Sequence, residues 1–280
     1  MTNKLLRLDK ILLERKLVAN KEEAHEYINA GRVVVNGLLV QNTNSCYKRD
    51  ISVKIDKNER KWVSRGAYKL LRGLDFFKIS VRDKICLDIG ASTGGFTDVL
   101  LSRNAAKVYA VDVGYGQLAW KLRTNNKVVV MDRTNARFLT NEKLEEGNVD
   151  IIVSDASFIS MKVLLPVLEK LLKNDGTMIV LIKPQFEISK EKIGNGVIND
   201  PKLHVEVLDD MLAFTTTQTK LTLINATFSP IRGPEGNIEF LFQYGLDNNP
   251  RLDKDFILNS TKLVEDAHLM TARKVEGGHD

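Results

Sequence analysis

The 280-residue chain contains little cysteine. Its two cysteines, Cys46 and Cys86, are too few for the disulfide framework that holds small secreted domains together. Cys86 lies inside an apolar run, which is typical of a reduced core residue. Reduced thiols favour a cytoplasmic protein, and the length suits one large domain with a smaller one beside it.

Long apolar runs are absent as well. No apolar run approaches the roughly 18 residues that a membrane span needs. In the first ten residues, MTNKLLRLDK, charged residues separate the leucines before an apolar run as long as that of a signal peptide can form. We therefore expect a cytoplasmic protein without a membrane partner.

Basic charge, in contrast, is concentrated near the amino terminus. The chain has a formal net charge of +5. Residues 1–60 hold twelve Lys and Arg against eight Asp and Glu, so +4 of this charge lies in the first fifth of the sequence. Such a concentration in a small domain favours a polyanion as partner.

The segment RLDKILLERKLVANKEEAHEYINAGRVVVNGLLV predicts two helices and a hairpin. Asn20 and Glu23 form a capping-box pattern, Gly31 is a natural helix stop, and Asn36-Gly37 between β-rich runs signals a hairpin. Over about residues 5 to 60 this segment resembles the S-four-type RNA-binding domain, a small α+β fold.

That resemblance implies that basic side chains of the helices bind RNA phosphates, a contact that positions the protein without reading sequence. A plain solvated helix face is the alternative. The side chains expected to bind RNA are Arg7, Lys10, Arg15, Lys16 and Arg32.

After residue 80, strand-like and helix-like segments alternate, which predicts a mainly parallel sheet with helices on both faces. The strand-like runs are KICLDIG, AKVYAVD, KVVVMD, VDIIVSD, GTMIVLIK, LTLINATFSP and NIEFLFQY. The helix-like stretches are 95–103, 116–123, 162–173 and 202–217. The last two strands are joined by a turn alone, so we expect an antiparallel hairpin at one edge. The pattern resembles the Class I methyltransferase sheet, a Rossmann-like α/β fold whose ligands bind beyond the carboxyl ends of the strands.

These patterns divide the chain into four parts. Residues 1–60 form the S-four-type domain, 61–64 a linker, 65–250 the large domain, and 251–280 a helix and tail. Within the junction DKNERKWVSRGAYKL the charge ends at Lys61 and Trp62 follows. Because tryptophan seldom stays in water, we expect Trp62 to pack against the large domain.

A glycine-rich turn, LDIGASTGGFT, follows the first strand of the large domain. A P-loop requires a lysine that this turn lacks, and a dinucleotide turn requires glycine where Ser92 stands. The turn resembles the cofactor motif of S-adenosylmethionine enzymes, which implies that Asp88 accepts from the cofactor's ammonium. The next two strands end at Asp112 and Asp132, which suit the ribose hydroxyls and the adenine amino group. The turn residues expected at the cofactor are Gly90, Ala91, Ser92, Thr93, Gly94, Gly95 and Phe96.

Four charged residues lie where reacting groups are expected. Lys69 lies in SRGAYKL, Asp155 and Lys183 end the fourth and fifth strands, and Glu239 starts the last one. Lys183 stands between an apolar strand and Pro184, so we expect partial desolvation, which suits a lysine for proton transfer. For each residue taken alone, a surface ion pair is the alternative.

Lys-Asp-Lys-Glu in this order resembles the catalytic tetrad of FtsJ-like ribose 2'-O-methyltransferases, and the additional S-four-type domain resembles the TlyA family. The similar blocks, which cover nearly the whole chain, are WVSRGAYKL, DIGASTGGFTD, DRTNAR, SDASFIS, KPQFE and SPIRGPEGNIEF. The resemblance implies S-adenosylmethionine-dependent methylation of cytidine 2'-hydroxyls in small- and large-subunit rRNA. It implies rRNA or ribosomal subunits as partner, no DNA, and no metal. The residues it implies as catalytic are Lys69, Asp155, Lys183 and Glu239.

Other functions fit less well. An RNA base amino-methyltransferase usually has a [DNS]-P-P-[YF] loop after the fourth strand, and DASF keeps the acid and the aromatic without the prolines. Phe158 in this block either stacks on a base or packs in the core. Cytosine C5 methylation uses a cysteine near the carboxyl edge of the sheet, where neither cysteine lies. A secreted haemolysin predicts a signal peptide or an inserting segment, and neither is visible in the sequence.

Overall fold

A computed structural model describes residues 5–29, 32–36, 38–40, 42–55, 62–194, 196–249 and 255–272. These residues form two compact units. One comprises the described residues before Trp62 together with those from Asp266 onward, and the other runs from Trp62 to Glu265. Within the described ranges, no helix is both long enough and apolar enough to cross a bilayer. The sequence-based boundaries at residues 60, 65 and 250 remain a prediction.

The first unit contains two short helices and two small sheets. Its helices are α1 (Leu8–Glu14) and α2 (Lys21–Asn29). Its strands are β1 (Leu6–Arg7), β2 (Val33–Val35), β3 (Leu38–Val40), β4 (Cys46–Tyr47) and β5 (Val53–Ile55). β1 pairs with β4, and β2 lies between β3 and β5, all antiparallel. The expected helix pair and hairpin are therefore present.

Local sequence signals account for these elements. Asn20 accepts the N–H of Glu23 at 2.8 Å, and the Glu23 carboxylate accepts the N–H of Ala19, so the expected cap of α2 is formed. Asn36 has φ +50°, as the turn of this hairpin requires. The expected helix stop at Gly31 lies outside the described residues. Apolar side chains from both helices and the sheet form the core, including Leu8, Ile11, Leu12, Ala24, Ile28, Val33, Val35 and Val40.

The second unit is built on a seven-stranded sheet. Its strands are β6 (Ile85–Ile89), β7 (Lys107–Val111), β8 (Val128–Met131), β9 (Val149–Ser154), β10 (Leu172–Ile182), β11 (Leu221–Phe228) and β12 (Phe240–Leu246). Their order is β11-β12-β10-β9-β6-β7-β8. The strands from β10 to β8 are parallel, and β12 is antiparallel to β10 and β11. The predicted Rossmann-like sheet with a hairpin at one edge is confirmed.

Helices connect most of these strands. Helix α3 (Ala67–Phe76) precedes β6. The connecting helices are α4 (Gly95–Ser102), α5 (Trp120–Arg123), α6 (Met161–Leu168), α7 (Pro184–Glu187), α8 (Lys190–Ile193) and α9 (Pro201–Gln218). Helix α10 (Ser260–Ala272) follows β12, and its residues from Asp266 onward belong to the first unit. The helix predicted over 116–123 begins only at Trp120, because Gly116 has φ +70°, outside the helical region. The helix predicted over 162–173 ends early, because β10 already pairs with β9 at Leu172.

The core of the second unit lies where α3 and α4 pack against the sheet. Trp62 is only 8% exposed and belongs to this core, as its sequence position predicts. Cys86 is fully buried there, and burial raises the pKa of its thiol to about 12, as expected for an unreactive core cysteine. The core also includes Leu70, Leu74, Val99, Leu100, Ile151, Val153, Ile179 and Leu181.

Candidate active site

The register of the sheet gathers charged residues at one edge. β9 lies between β6 and β10, so Asp155, directly after β9, and Lys183, directly after β10, share the carboxyl edge. β12 runs antiparallel to β10 and pairs its first residue, Phe240, with Ile182. Glu239, which precedes Phe240, therefore reaches the same edge.

Helix α3 supplies a fourth charged side chain. Lys69 Nζ lies 2.6 Å from Glu239 Oε2 and 3.2 Å from Asp155 Oδ2. Lys183 Nζ lies 2.7 Å from Asp155 Oδ1. Asp155 thus bridges the two lysines with its two oxygens. The four residues that the sequence singled out are brought together in one cluster.

Burial shapes the charge of this cluster. Lys69, Lys183 and Glu239 are 5%, 6% and 1% exposed. Burial by itself lowers the pKa of Lys69, but the adjacent Asp155 and Glu239 carboxylates outweigh it and the pKa is raised. Burial also raises the pKa of Glu239, which the Lys69 ammonium only partly opposes. Gly233 leaves room for this carboxylate, since a Cβ there would lie 2.7 Å from Glu239 Oε1.

Lys183 has a further partner that the sequence pattern does not predict. Its Nζ lies 2.6 Å from Ser157 Oγ, 3.1 Å from the main-chain oxygen of Asp155, and 2.7 Å from Asp155 Oδ1. A protonated lysine has three hydrogens, so these three oxygens can occupy all of them. The only sequence signal for Ser157 was its place two residues after a strand-end acid.

Two adjoining cavities open at this edge. The β7-side cavity, of about 350 Å³, lies at the ends of β6 and β7. The lysine cavity, of about 210 Å³, is lined by Lys69 and Lys183. Both are lined by Gly90, Ser92, Asp155 and Ser157. The glycine turn and the loop after β9 therefore form the border between the two spaces.

Within the turn, glycine is needed at two positions for different reasons. Gly90 has φ +79°, and a Cβ there would lie 3.0 Å from the Cα of Ala156. Gly94 has φ +98°, and a Cβ there would lie 2.3 Å from a methyl group of Leu122, so a glycine is needed for Leu122 to pack against the turn. Gly94 itself lines neither cavity. The expected turn residues that do line a cavity are Gly90, Ala91, Ser92, Thr93, Gly95 and Phe96.

The acids after β7 and β8 have different surroundings. Asp112 lines the β7-side cavity, and its carboxylate accepts the N–H groups of Ser92 and Gly114 at 2.8 and 2.7 Å, which fixes its orientation. Asp132 lines neither cavity and binds Arg123 at 2.7 Å, which holds the pKa of Asp132 below its ordinary value. Near this strand end the cavity is lined instead by Thr134, Asn135 and Ala136, which are not among the predicted site residues.

Asp88, the acid at the end of β6, is fully buried and lines neither cavity. Its Oδ2 accepts the hydroxyl of Thr97 at 2.6 Å, and its Oδ1 has no hydrogen-bond partner in the described parts of the chain. Burial raises the pKa of Asp88 to about 7. A buried acceptor without a donor is costly. Asp88 therefore lies behind the turn, and a contact with the cofactor's ammonium would need the turn to open. The residues that fit S-adenosylmethionine are those facing the cavity: Gly90, where a Cβ would meet the Ala156 backbone, and Asp112, whose carboxylate is fixed by two N–H groups.

In the first unit, Arg7 has an intramolecular role. Its guanidinium lies 2.7 Å from the carboxylate of Asp9, which is 1% exposed, and His25 Nε2 lies 3.0 Å from the same carboxylate. Burial raises the pKa of Asp9, but the hydrogen bonds from Arg7 and His25 outweigh it and the pKa is lowered. Arg7 therefore has a structural role, because it pairs with a buried carboxylate of the same unit.

The other basic residues expected at RNA differ in how they are held. Arg15 donates to two main-chain carbonyl groups in the loop between β4 and β5. The guanidinium of Arg32 lies over the ring of Tyr27, 4.5 Å from its centroid. Lys10 and Lys16 are exposed on and after α1. Binding of RNA by these side chains remains a prediction.

Two known families match this chain, one within each of the two units. The FtsJ-like methyltransferase family matches residues 62–246, and the S4 domain matches residues 6–45. The first match covers the sheet, the glycine turn and the four clustered charged residues.

Individual relatives match nearly the full chain. The 16S/23S rRNA (cytidine-2'-O)-methyltransferase TlyA of Mycobacterium tuberculosis is 44% identical over 238 residues, 84% of this chain and 87% of the relative. Hemolysin A of Brachyspira hyodysenteriae is 40% identical over 240 residues, 85% of this chain and 99% of the relative. A solved structure from Streptococcus thermophilus that carries the name hemolysin is 36% identical with a TM-score of 0.74, covering 98% of this chain and 100% of that one. The chain therefore belongs to the FtsJ-like methyltransferase family, and its methyl donor is S-adenosylmethionine.

Proposed function

We propose that this chain methylates the ribose 2'-hydroxyl of cytidine in ribosomal RNA, either free or in a ribosomal subunit. The observation that carries the proposal is the largely buried cluster of Lys69, Asp155, Lys183 and Glu239 beside the glycine turn. The S4 domain supports an RNA partner, and the Mycobacterium tuberculosis relative is named for 16S and 23S rRNA.

The cofactor is proposed to bind along the glycine turn and the β7-side cavity. Asp112, with its orientation fixed by two backbone N–H groups, suits a pair of ribose hydroxyls. Asp88 is proposed for the ammonium group, which requires the turn in front of its buried oxygen to open. Asp132 is proposed for the adenine amino group, which requires it to share or leave its pair with Arg123. When bound, S-adenosylmethionine supplies a methyl group already activated by its sulfonium.

The lysine cavity is proposed to bind the ribose whose 2'-hydroxyl accepts the methyl group. A ribose hydroxyl is a poor nucleophile at neutral pH, so the protein has to orient it and remove its proton as attack proceeds. In our proposal Lys183, held by Asp155, either accepts that proton as a neutral amine or, as an ammonium, orients the hydroxyl while its proton leaves to solvent. Because Lys183 Nζ already has three oxygen partners, the acceptor has to displace one of them. Ser157 Oγ is the partner that rotation of a single side chain removes.

Lys69 and Glu239 are proposed to hold the ribose and to fix the cluster. Lys69 lies 3.2 and 3.4 Å from the two oxygens of Asp155, so it restricts how Asp155 can move. Glu239 in turn binds Lys69. The positions of both lysines therefore depend on the two carboxylates between them.

The test is transfer of labelled methyl groups from S-adenosylmethionine to ribosomal subunits and to naked rRNA, followed by mapping of the modified nucleotides. We expect label on the 2'-oxygen of cytidine in at least one of these substrates, and none with the Lys183→Ala variant. Label on a base amino group, or no transfer to either substrate, would contradict the proposal.

A further inference from the structure

Arg65 is a third cation of the lysine cavity, beside Lys69 and Lys183. The two lysines are already paired with Asp155 and Glu239. The cavity is therefore lined by three basic side chains and one acidic side chain, Asp155, and a second acidic side chain, Glu239, pairs with Lys69. This excess of positive charge suits an anionic ligand.

The guanidinium of Arg65 is held in place yet retains donors. One of its nitrogens donates to the main-chain oxygen of Arg232. The other N–H groups of Arg65 have no acceptor among the residues that the structure describes. Arg65 is half-buried, and this burial lowers the pKa of its guanidinium although Glu239 and Asp155 oppose the change. An anion at this position would offset the cost of desolvation.

RNA chemistry requires such an anion close to the reacting hydroxyl. In an RNA chain, the carbon that bears the 2'-hydroxyl is bonded to the carbon that bears the 3'-phosphodiester. Any ribose that enters the lysine cavity therefore brings a negative phosphate with it. A charge that leaves water needs a cation or several donors, and the planar fork of arginine matches two phosphate oxygens.

We propose that Arg65 binds the 3'-phosphate of the nucleotide whose ribose enters the lysine cavity, and so positions the 2'-hydroxyl at Lys183. This inference rests on the proposed function, because it assumes a ribose acceptor. It assigns to Arg65 a role in acceptor binding that is separate from the ion-pair cluster.

The test combines variants of Arg65 with a change in the RNA. The phosphodiester 3' to the target cytidine is replaced by an uncharged methylphosphonate, and kcat/KM for methyl transfer is measured on both RNAs. We expect the wild-type protein to lose about 10- to 100-fold on the neutral RNA, as for a lost hydrogen bond to a charged group. Arg65→Gln should be slow on both RNAs and nearly indifferent to the replacement. Arg65→Lys, which keeps the charge without the fork, should be intermediate.

Arg72 provides a matched control. It lies on α3, donates to Thr227 at 3.3 Å, stacks on Phe76 and lines neither cavity. Arg72→Gln should keep the full sensitivity to the neutral phosphate. All variants should bind S-adenosylmethionine with unchanged affinity in calorimetry, which separates loss of the phosphate contact from loss of the fold.

The outcomes separate the two proposals. If the wild-type protein methylates the ribose, and Arg65→Gln is as fast as wild type or loses as much on the neutral RNA, the role of Arg65 is wrong and the proposed function stands. If the wild-type protein places no methyl group on ribose, both proposals are wrong.

Discussion

The Lys69 ammonium and the Glu239 carboxylate form an ion pair 2.6 Å apart, and both side chains are almost fully buried. Bringing two charges out of water is costly, and only their mutual contact and further partners compensate for it. Lys69 has such a further partner in Asp155, whereas neither Glu239 oxygen accepts a well-aligned hydrogen bond from the described residues. Glu239 therefore depends on Lys69 more than Lys69 depends on Glu239.

This asymmetry predicts unequal effects of substitution on stability. Lys69→Met leaves a buried carboxylate unpaired and should lower the free energy of unfolding by about 3 to 5 kcal/mol. Glu239→Gln should cost less, because Lys69 keeps Asp155. The double variant Lys69→Met with Glu239→Gln should lose less than the sum of the two single changes, since no unpaired charge remains at this pair. Urea unfolding of the four proteins measures this, and strictly additive losses would contradict the coupling.

Lys183 should matter for chemistry and little for binding. Lys183→Ala removes the group proposed to handle the proton, so single-turnover methyl transfer at saturating cofactor should fall by more than the roughly 10²–10⁴-fold typical of proton transfer. Affinity for S-adenosylmethionine should remain, because its proposed contacts lie on other strand ends. Lys183→Arg should not restore activity, since arginine stays protonated and has a different shape.

Lys192→Ala is a suitable control for Lys183→Ala. Lys192 is an exposed lysine paired with Glu206 on the surface, and its loss should leave methyl transfer unchanged. Full activity of Lys183→Ala would exclude Lys183 from the reaction and would favour an amino-methyltransferase instead.

Three of the four clustered residues can be placed from the sequence because they lie at strand ends, whereas Lys69 lies on helix α3. In a parallel sheet the carboxyl ends meet at one edge, and Asp155 and Lys183 approach each other there because β9 and β10 are neighbouring strands. The antiparallel last strand adds Glu239 by the same register argument. These placements depend on strand order and register, and the apolar patterns predict the strands but not which of them are neighbours.

What the sequence does not predict depends on side-chain packing between segments far apart in the chain. Asp132 follows its strand as expected, but the position of α5 brings Arg123 to it. Asp88 is more deeply buried than its place at a cofactor turn suggests. Arg65 and Ser157 become candidates only when the lining of the lysine cavity is known. No spacing rule along the chain contains this information.

The glycine turn gives a prediction for cofactor binding. Gly90→Val places a branched side chain at φ +79° and within about 3.0 Å of the Ala156 backbone, so the turn has to move. Calorimetry should then show no binding of S-adenosylmethionine, while circular dichroism reports a folded protein. Gly147→Ala is a control for the backbone strain, since Gly147 also has a positive φ but no atom near its Cβ position. Unchanged affinity in Gly90→Val would exclude the turn as the binding site.

Asp88 predicts a pH dependence of stability. Burial raises its pKa from 3.8 to about 7, so between these values the folded protein binds a proton that the unfolded chain has released. Stability should therefore fall as the pH rises through this window, by a few kcal/mol in total, and stay level above it. Asp88→Asn cannot titrate and should have a flatter profile. Urea unfolding of both proteins at pH values from about 4 to about 8 tests this; profiles of equal slope would contradict it.

In the first unit, substitution of exposed basic residues should affect RNA binding, and substitution of a basic residue paired with a buried acid should affect stability. Lys10 and Lys16 are exposed, so replacing both with glutamine should leave stability nearly unchanged and reduce the slope of log K for RNA against log salt by about 1 to 2. Arg7→Gln removes a partner of the buried Asp9 carboxylate, so it should lower the free energy of unfolding by about 1 to 3 kcal/mol. Filter binding over a salt series and urea unfolding distinguish the two effects. If the double lysine variant keeps the wild-type salt slope, these lysines do not bind RNA phosphates.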